Sequence, residues 1–242
     1  VGYGDSEEKL GRAGVSGFKI VTKIPPINFN SINLNYDVDK YFYQSLKLLK
    51  IDKIYGVLFH RSEDLLSRNG RVIYNTLHNL KKKNLIIKIG ISIYSTQELE
   101  KIIDNFEINL VQVPVNLFDN KLIKSGWLEK LKNRNVEIHA RSLFLQGLLL
   151  MNKSKRPKYF QRWKNIFNKY DQWLETNSLS KIEGSLMVIN NYQEIDHFII
   201  GFDNSKQLLQ TYNIINSNYK KTIITPEFNC DVDLINPSTW SI

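Results

Sequence analysis

The chain has 242 residues, 42% of them hydrophobic and 12% aromatic, enough to bury the core of one large α/β domain or two small ones. Its 33 Lys and Arg outnumber 24 Asp and Glu for a net charge of +9; the basic residues are dispersed, which favours solvated helix faces over a nucleic-acid surface and suits an anionic ligand such as a phosphorylated cofactor. No run approaches the roughly 18 apolar residues of a membrane span, no signal-peptide pattern is visible, and Cys230 is the single cysteine, so an intrachain disulfide is excluded and a cytoplasmic setting is expected.

A Gly-Tyr-Gly turn and an acidic helix start, VGYGDSEEKL, come first. Short apolar runs rich in β-branched residues then alternate with longer amphipathic ones. The runs 18–24, 53–60, 85–94, 110–116, 136–144 and 196–202 read as buried parallel strands. The segments 36–50, 69–84, 95–106, 120–134 and 204–218 read as helices, with Val38, Phe42, Leu46 and Leu49 at helical spacing in the first. Ser95 and Asn204 are plausible N-caps. The stretch from Met151 to about Thr176 carries Trp163, Phe167, Tyr170 and Trp173 at helical spacing, which reads as core rather than a lid.

Strands alternating with helices, and no Pro-, Gly- or Ser-rich linker, predict βαβ units in one domain over 1–242. An open doubly wound sheet and a closed (β/α)8 barrel both fit that alternation. A doubly wound nucleotide-binding sheet would show a Gly-rich turn after its first strand. The sequence has IPPINFNSINLN there instead, which favours the barrel, with two of its strands missing from this chain.

In such a barrel the reactive groups stand at the C-terminal ends of strands. Reading those ends gives Lys23, His60, Ser92, Gln112 and Asn116, Arg141 and Ser142, and Gly201. Taken singly, each is explained by ordinary packing or solvation; together they form a polar rim. The segment FIIGFDNSKQLLQ is a strand, a Gly turn and a helix start, with free N–H groups and Lys206 suited to phosphate; an ordinary capped turn explains it equally well.

The ordered blocks YGDSE–LGRA, IVTKI, LFH, GIS, VQVPVNLFD, RSLFLQGLLL and IIGFDNSKQL resemble the aldo-keto reductases from Val1 to about Asn213. The resemblance implies a metal-free (β/α)8 barrel that reduces a small-molecule carbonyl with hydride from a nicotinamide cofactor, NADP(H) being favoured over NAD(H). It implies three members of the family's catalytic tetrad: Tyr3 as proton donor, Lys23 to lower the Tyr pKa, and His60 to orient the carbonyl. The tetrad Asp belongs to a D-T-A segment that would directly precede Val1. The chain is therefore expected to be a truncated or degenerate copy, lacking the first two barrel strands and having little activity alone.

By the same resemblance Ser92 and Gln112 grip the nicotinamide carboxamide, although Ile93 stands where the family often has Asn. Arg141 replaces an aromatic residue that stacks on the ring, and Ser142, Leu143 and Gly147 line the same loop. Gly201, Asn204, Ser205, Lys206, Gln207 and Thr211 fall on the adenosine-phosphate segment, with Asp203 opposing a 2′-phosphate. The pattern RSLFLQGLLL is similar to a branch found beside bacterial surface-sugar and flagellin-modification enzymes, implying a sugar or sugar-nucleotide carbonyl. A degenerate barrel that binds the cofactor without turnover is the alternative, no nucleic-acid or membrane partner is expected, and oligomeric state is left open.

Overall fold

A computed structural model of the chain describes residues 4–28, 33–217 and 223–241. The strands are β1 (Val21–Ile24), β2 (Ile54–Phe59), β3 (Ile86–Ser92), β4 (Leu110–Pro114), β5 (Glu137–Arg141) and β6 (His197–Phe198), following one another in chain order in a six-stranded sheet. The pairings β1–β2, β2–β3, β3–β4 and β5–β6 are parallel. Each of the six expected runs contains one strand. Burial on both faces explains their near-continuous apolarity: every residue of β4 is buried, and so are the last four of β2 and of β3.

The helices are α1 (Ser6–Ala13), α2 (Leu34–Leu49), α3 (Ser62–Leu66), α4 (Gly70–Lys82), α5 (Thr96–Ile102), α6 (Lys121–Lys124), α7 (Trp127–Asn133), α8 (Lys164–Thr176), α9 (Lys181–Asn191), α10 (Ser205–Asn216) and α11 (Val232–Ile235). Helix α2 buries Val38, Phe42, Ser45 and Leu49, close to the stripe its spacing predicts, and ends on Lys50 in the left-handed conformation. Ser95 and Asn204 cap α5 and α10. The predicted helix over 120–134 is two helices. Gly126, at φ +73°, turns the chain between α6 and α7, a backbone state that an L side chain resists.

The chain divides into two compact units, one of Val1–Val113 with Lys130–Ile138 and the other of Pro114–Glu129 with His139–Ile242. The first unit packs α2 and α4 against β1–β3. Within it Tyr55 donates to Glu137 at 2.6 Å, and Lys88 pairs with the same carboxylate. The second unit is built on aromatic packing. Phe118 lies 4.8 Å from Phe228 and 5.6 Å from both Phe167 and Tyr170, centroid to centroid. Phe167, Tyr170 and Trp173 of α8 are buried, as is Trp163 just before it, so these aromatics are core.

Two arginines of the basic stretch 153–169 make internal contacts. The Arg156 guanidinium forks onto the Asp171 carboxylate at 2.7 and 2.8 Å and lies over the Phe167 ring. Arg162 stacks on Trp163 and pairs with Asp233. Among the described residues no helix is long and apolar enough to cross a membrane.

Gly90 of β3 stands where a Cβ would lie 2.1 Å from the Leu110 carbonyl oxygen and 2.6 Å from Leu58 Cδ2. Backbone cannot yield as a side-chain tip can. Gly90→Ala should cost about 2–4 kcal/mol, read as a lowered urea midpoint with an unchanged slope.

Candidate active site

The register of the first unit decides which side chains can meet. Residues paired across parallel strands point to the same side of a sheet, and side chains two apart on a strand share a side. Lys23 pairs with Leu58, Leu58 with Gly90, and Ser92 with Gln112. Gly90 and Ser92 lie two apart on β3. Lys23, Ser92 and Gln112 therefore belong to one face of the sheet near the C-terminal ends of its strands. His60 follows the end of β2 directly, at a bend.

Burial among these residues is graded. Ser92 and Gln112 are buried, while Lys23 and His60 are half-buried. Ile93 continues the β3–β4 ladder by donating its N–H to the Gln112 carbonyl at 2.9 Å. Its apolar side chain is fully buried and offers no polar group to a ligand. Tyr3 lies outside the described residues, three positions before α1 begins.

In the second unit the loops after β4 and β5 are tied together by Asn116. Its Oδ1 accepts from the N–H groups of Phe118 (2.9 Å) and Asp119 (3.0 Å), and its Nδ2 donates to the Ser142 carbonyl at 3.1 Å. The Val115 N–H bonds the Arg141 carbonyl at 3.1 Å, and an Arg141 guanidinium nitrogen reaches Ser142 Oγ at 3.2 Å. The segment RSLFLQG is contorted: Ser142, Leu145 and Gln146 have φ of 61°, 47° and 52°, and Gly147 has 80°. Three non-glycine residues in the left-handed region within five positions mark a loop held by its surroundings. Leu143 and Leu145 are buried beneath it.

Asn116 stood among the strand-end residues of the sequence, but nothing there showed that one amide organises both loops. A residue that sequence reasoning missed is Asp119. Burial pushes its carboxyl up to about 6, against the pull of Lys121 and Arg141. Burial, helped by Asp231 and Asp119, also pushes the Cys230 thiol up to about 12, which leaves it protonated and a poor nucleophile.

At the start of α10 the Asn204 carboxamide accepts from the Gln207 N–H at 3.0 Å, and the Gln207 side chain reaches back to the Asp203 N–H at 2.9 Å. Gly201, Ser205, Lys206 and Gln207 are exposed. A Cβ at Gly201 would meet nothing within 4 Å, so the backbone there is open to close approach. Thr211 is the buried residue of α10, and its side chain belongs to the packed face of the helix.

The model of the Aldo/keto reductase family matches residues 2–225. The chain belongs to the aldo-keto reductase family. It resembles the solved structure of AKR11C1 from Bacillus halodurans in its holo form, at 16% identity and a TM-score of 0.69, over 90% of this chain and 73% of that one. A putative aldo-keto reductase from Pseudomonas aeruginosa is similar at 21% identity and a TM-score of 0.60, over 88% and 72%. The glycerol dehydrogenase AKR11B4 of Gluconobacter oxydans is similar at 17% identity and a TM-score of 0.61, over 93% and 81%. No curated protein matches the chain.

The six parallel strands are thus those of a (β/α)8-type fold, and the protein is an aldo-keto reductase-type enzyme whose general reaction is NAD(P)H-dependent carbonyl reduction.

An aspartate raised from its unfolded value of 3.8 binds its proton more tightly in the folded state. Its favourable contribution is fully present below pH 3.8 and is lost as the pH rises through about 6. Asp119→Asn should accordingly stabilise the protein at pH 8 by about 1–3 kcal/mol, with the gain vanishing near pH 4. Urea unfolding of both proteins at the two pH values measures this.

Proposed function

We propose that this aldo-keto reductase reduces an aldehyde or ketone on a small hydroxylated molecule of sugar or sugar-nucleotide type, with NADPH preferred and Tyr3 as the proton donor. The observation that carries the reading is the common face of Lys23, Ser92 and Gln112 near the C-terminal ends of adjacent strands, with His60 directly after the end of β2. A core-packing account of a buried hydroxyl beside a buried carboxamide gives no reason for a lysine on the same face or a histidine at the adjacent strand end.

The residue types suit the chemistry. Reduction leaves negative charge on the carbonyl oxygen, which must take a proton as hydride reaches carbon. A free tyrosine has a pKa of about 10, and a nearby ammonium favours its phenolate and makes the phenol a better acid. That is the role given to Lys23. His60 holds the carbonyl oxygen by a hydrogen bond and orients it. Bound nicotinamide supplies the hydride.

The chain also fits that cofactor. Ser92 and Gln112, a hydroxyl and an amide side by side at the strand ends, offer the donors and acceptors that a carboxamide requires. Arg141, Ser142, Leu143 and Gly147 form the loop that would flank the ring, with a guanidinium plane able to stack on it. The phosphate-bearing end would fall to Gly201, Asn204, Ser205, Lys206 and Gln207, with Thr211 beneath them. Lys206 and the net positive charge favour NADP(H), and Asp203 opposes it. The sugar-like substrate rests on the likeness of RSLFLQGLLL to the surface-sugar branch, and a cytoplasmic setting on the lone cysteine.

Lys23→Met in the full-length protein should lower kcat at least about 100-fold while NADPH still quenches or enhances fluorescence on titration. Unchanged turnover of a carbonyl panel would overturn the role given to Lys23, and equal affinity for NADPH and NADH would overturn the cofactor preference.

A further inference from the structure

We infer that Glu7 is a positioning residue for the Lys23 end of β1, an inference that rests on the active-site reading above. Glu7 is the second residue of α1 and is buried. Its Oε1 accepts from Thr22 Oγ at 2.5 Å and from Ser45 Oγ at 3.0 Å, and its Oε2 lies 3.2 Å from the same serine hydroxyl. One carboxyl group thus joins α1, β1 and α2. Thr22 directly precedes Lys23, and strand alternation puts the two side chains on opposite faces. The helix-side face of β1 is held by Glu7, and the other face presents Lys23.

The tie acts at the residue next to the lysine: the part-buried hydroxyl–carboxyl bond of Thr22 restrains β1 through a side chain, in addition to its ladder with β2.

The approach of α1 to α2 is itself specified. A Cβ on Gly11 would lie 2.0 Å from the Leu48 carbonyl oxygen. Gly11 and Glu7 are four apart on one face of α1, just as Ser45 is three before Leu48 on α2. The glycine lets the helices close until the carboxyl reaches the serine. The positioning therefore runs from Gly11 to Glu7, then through Thr22 to Lys23. Tyr3 is joined to the same helix by the chain, three residues before Ser6.

The test compares Glu7→Ala, Glu7→Gln and Thr22→Val with Thr76→Ala, all in the full-length protein. Thr76 donates to Asn35 Oδ1 at 2.6 Å, a bond on α2 and α4 away from β1, so its loss lowers stability without touching the clamp. Each variant is measured for urea midpoint, NADPH affinity, kcat with a reducible aldehyde, and the titration of the Lys23 amine by NMR after reductive 13C-methylation. Glu7→Ala should lower kcat about 10–100-fold and keep NADPH affinity within about threefold. It should also move the Lys23 titration by at least about 0.5 pH unit. Glu7→Gln should fall between it and wild type, and Thr76→Ala should lose stability alone. A kcat and Lys23 titration in Glu7→Ala no different from those of Thr76→Ala would overturn the proposal. If Glu7→Ala fails to fold, Thr22→Val, which removes one hydroxyl and keeps the shape, decides on the same readouts. If the wild-type protein reduces no aldehyde, the functional reading fails by itself. The Lys23 titration then decides the role of Glu7: a shift supports it and no shift overturns it.

Discussion

Parallel register is the constraint on which the rest of this protein depends. Once Lys23 is opposite Leu58, Leu58 opposite Gly90 and Ser92 opposite Gln112, a lysine, a hydroxyl and a carboxamide share one face near one edge. A slip of one residue would send each of them to the helix side. The register is defended by packing. Gly90 leaves room for Leu58 and for the Leu110 carbonyl, and a slip that put a larger residue there would set its Cβ against that backbone.

Polar groups buried around this sheet act as ties. Glu7 gathers two hydroxyls from two elements, and Asn116 gathers two N–H groups and a carbonyl from two loops. Each uses the multiple hydrogen-bonding capacity of a short side chain to fix backbone that ladder bonds do not reach. The loop after β5 shows what such fixing permits: four residues at positive φ within six positions, two of them beside the buried Leu143 and Leu145. Asp119 sits at the other end of the Asn116 turn, where burial keeps its proton into the mildly acidic range. Both units therefore place a buried carboxyl next to a residue proposed for the site, Glu7 beside Thr22 and Lys23, and Asp119 within the field of Arg141.

Some elements were legible in the sequence because the signal is local. Six β-branched runs contain the six strands, and Ser95 and Asn204 cap the helices they precede. The aromatics of α8 follow helical spacing and are buried. Other elements were not legible. Helix α9 went unpredicted although Ser180 and Glu183 form a capping box, because its moderate apolarity lacks a clear stripe. The segment 120–134 reads as one amphipathic helix, and Gly126 divides it because its left-handed backbone state depends on surroundings that periodicity does not report.

The order of its short blocks determined this protein's family, since side-chain types recurring at strand ends are a property of the chain alone. It also determined the alternation of strand and helix, which follows from the periods 2 and 3.6 of the two backbones. Only the tertiary structure decided which polar residues share a face, because that depends on register between strand residues far apart in the chain, as Lys23 is from Leu58 and Ser92 from Gln112. It also decided that Glu7 lies buried between Thr22 and Ser45 instead of solvated in the first turn of a helix. An acidic residue near a helix N-terminus is ordinary in sequence. Its burial against two hydroxyls exists only once α1, β1 and α2 have packed together.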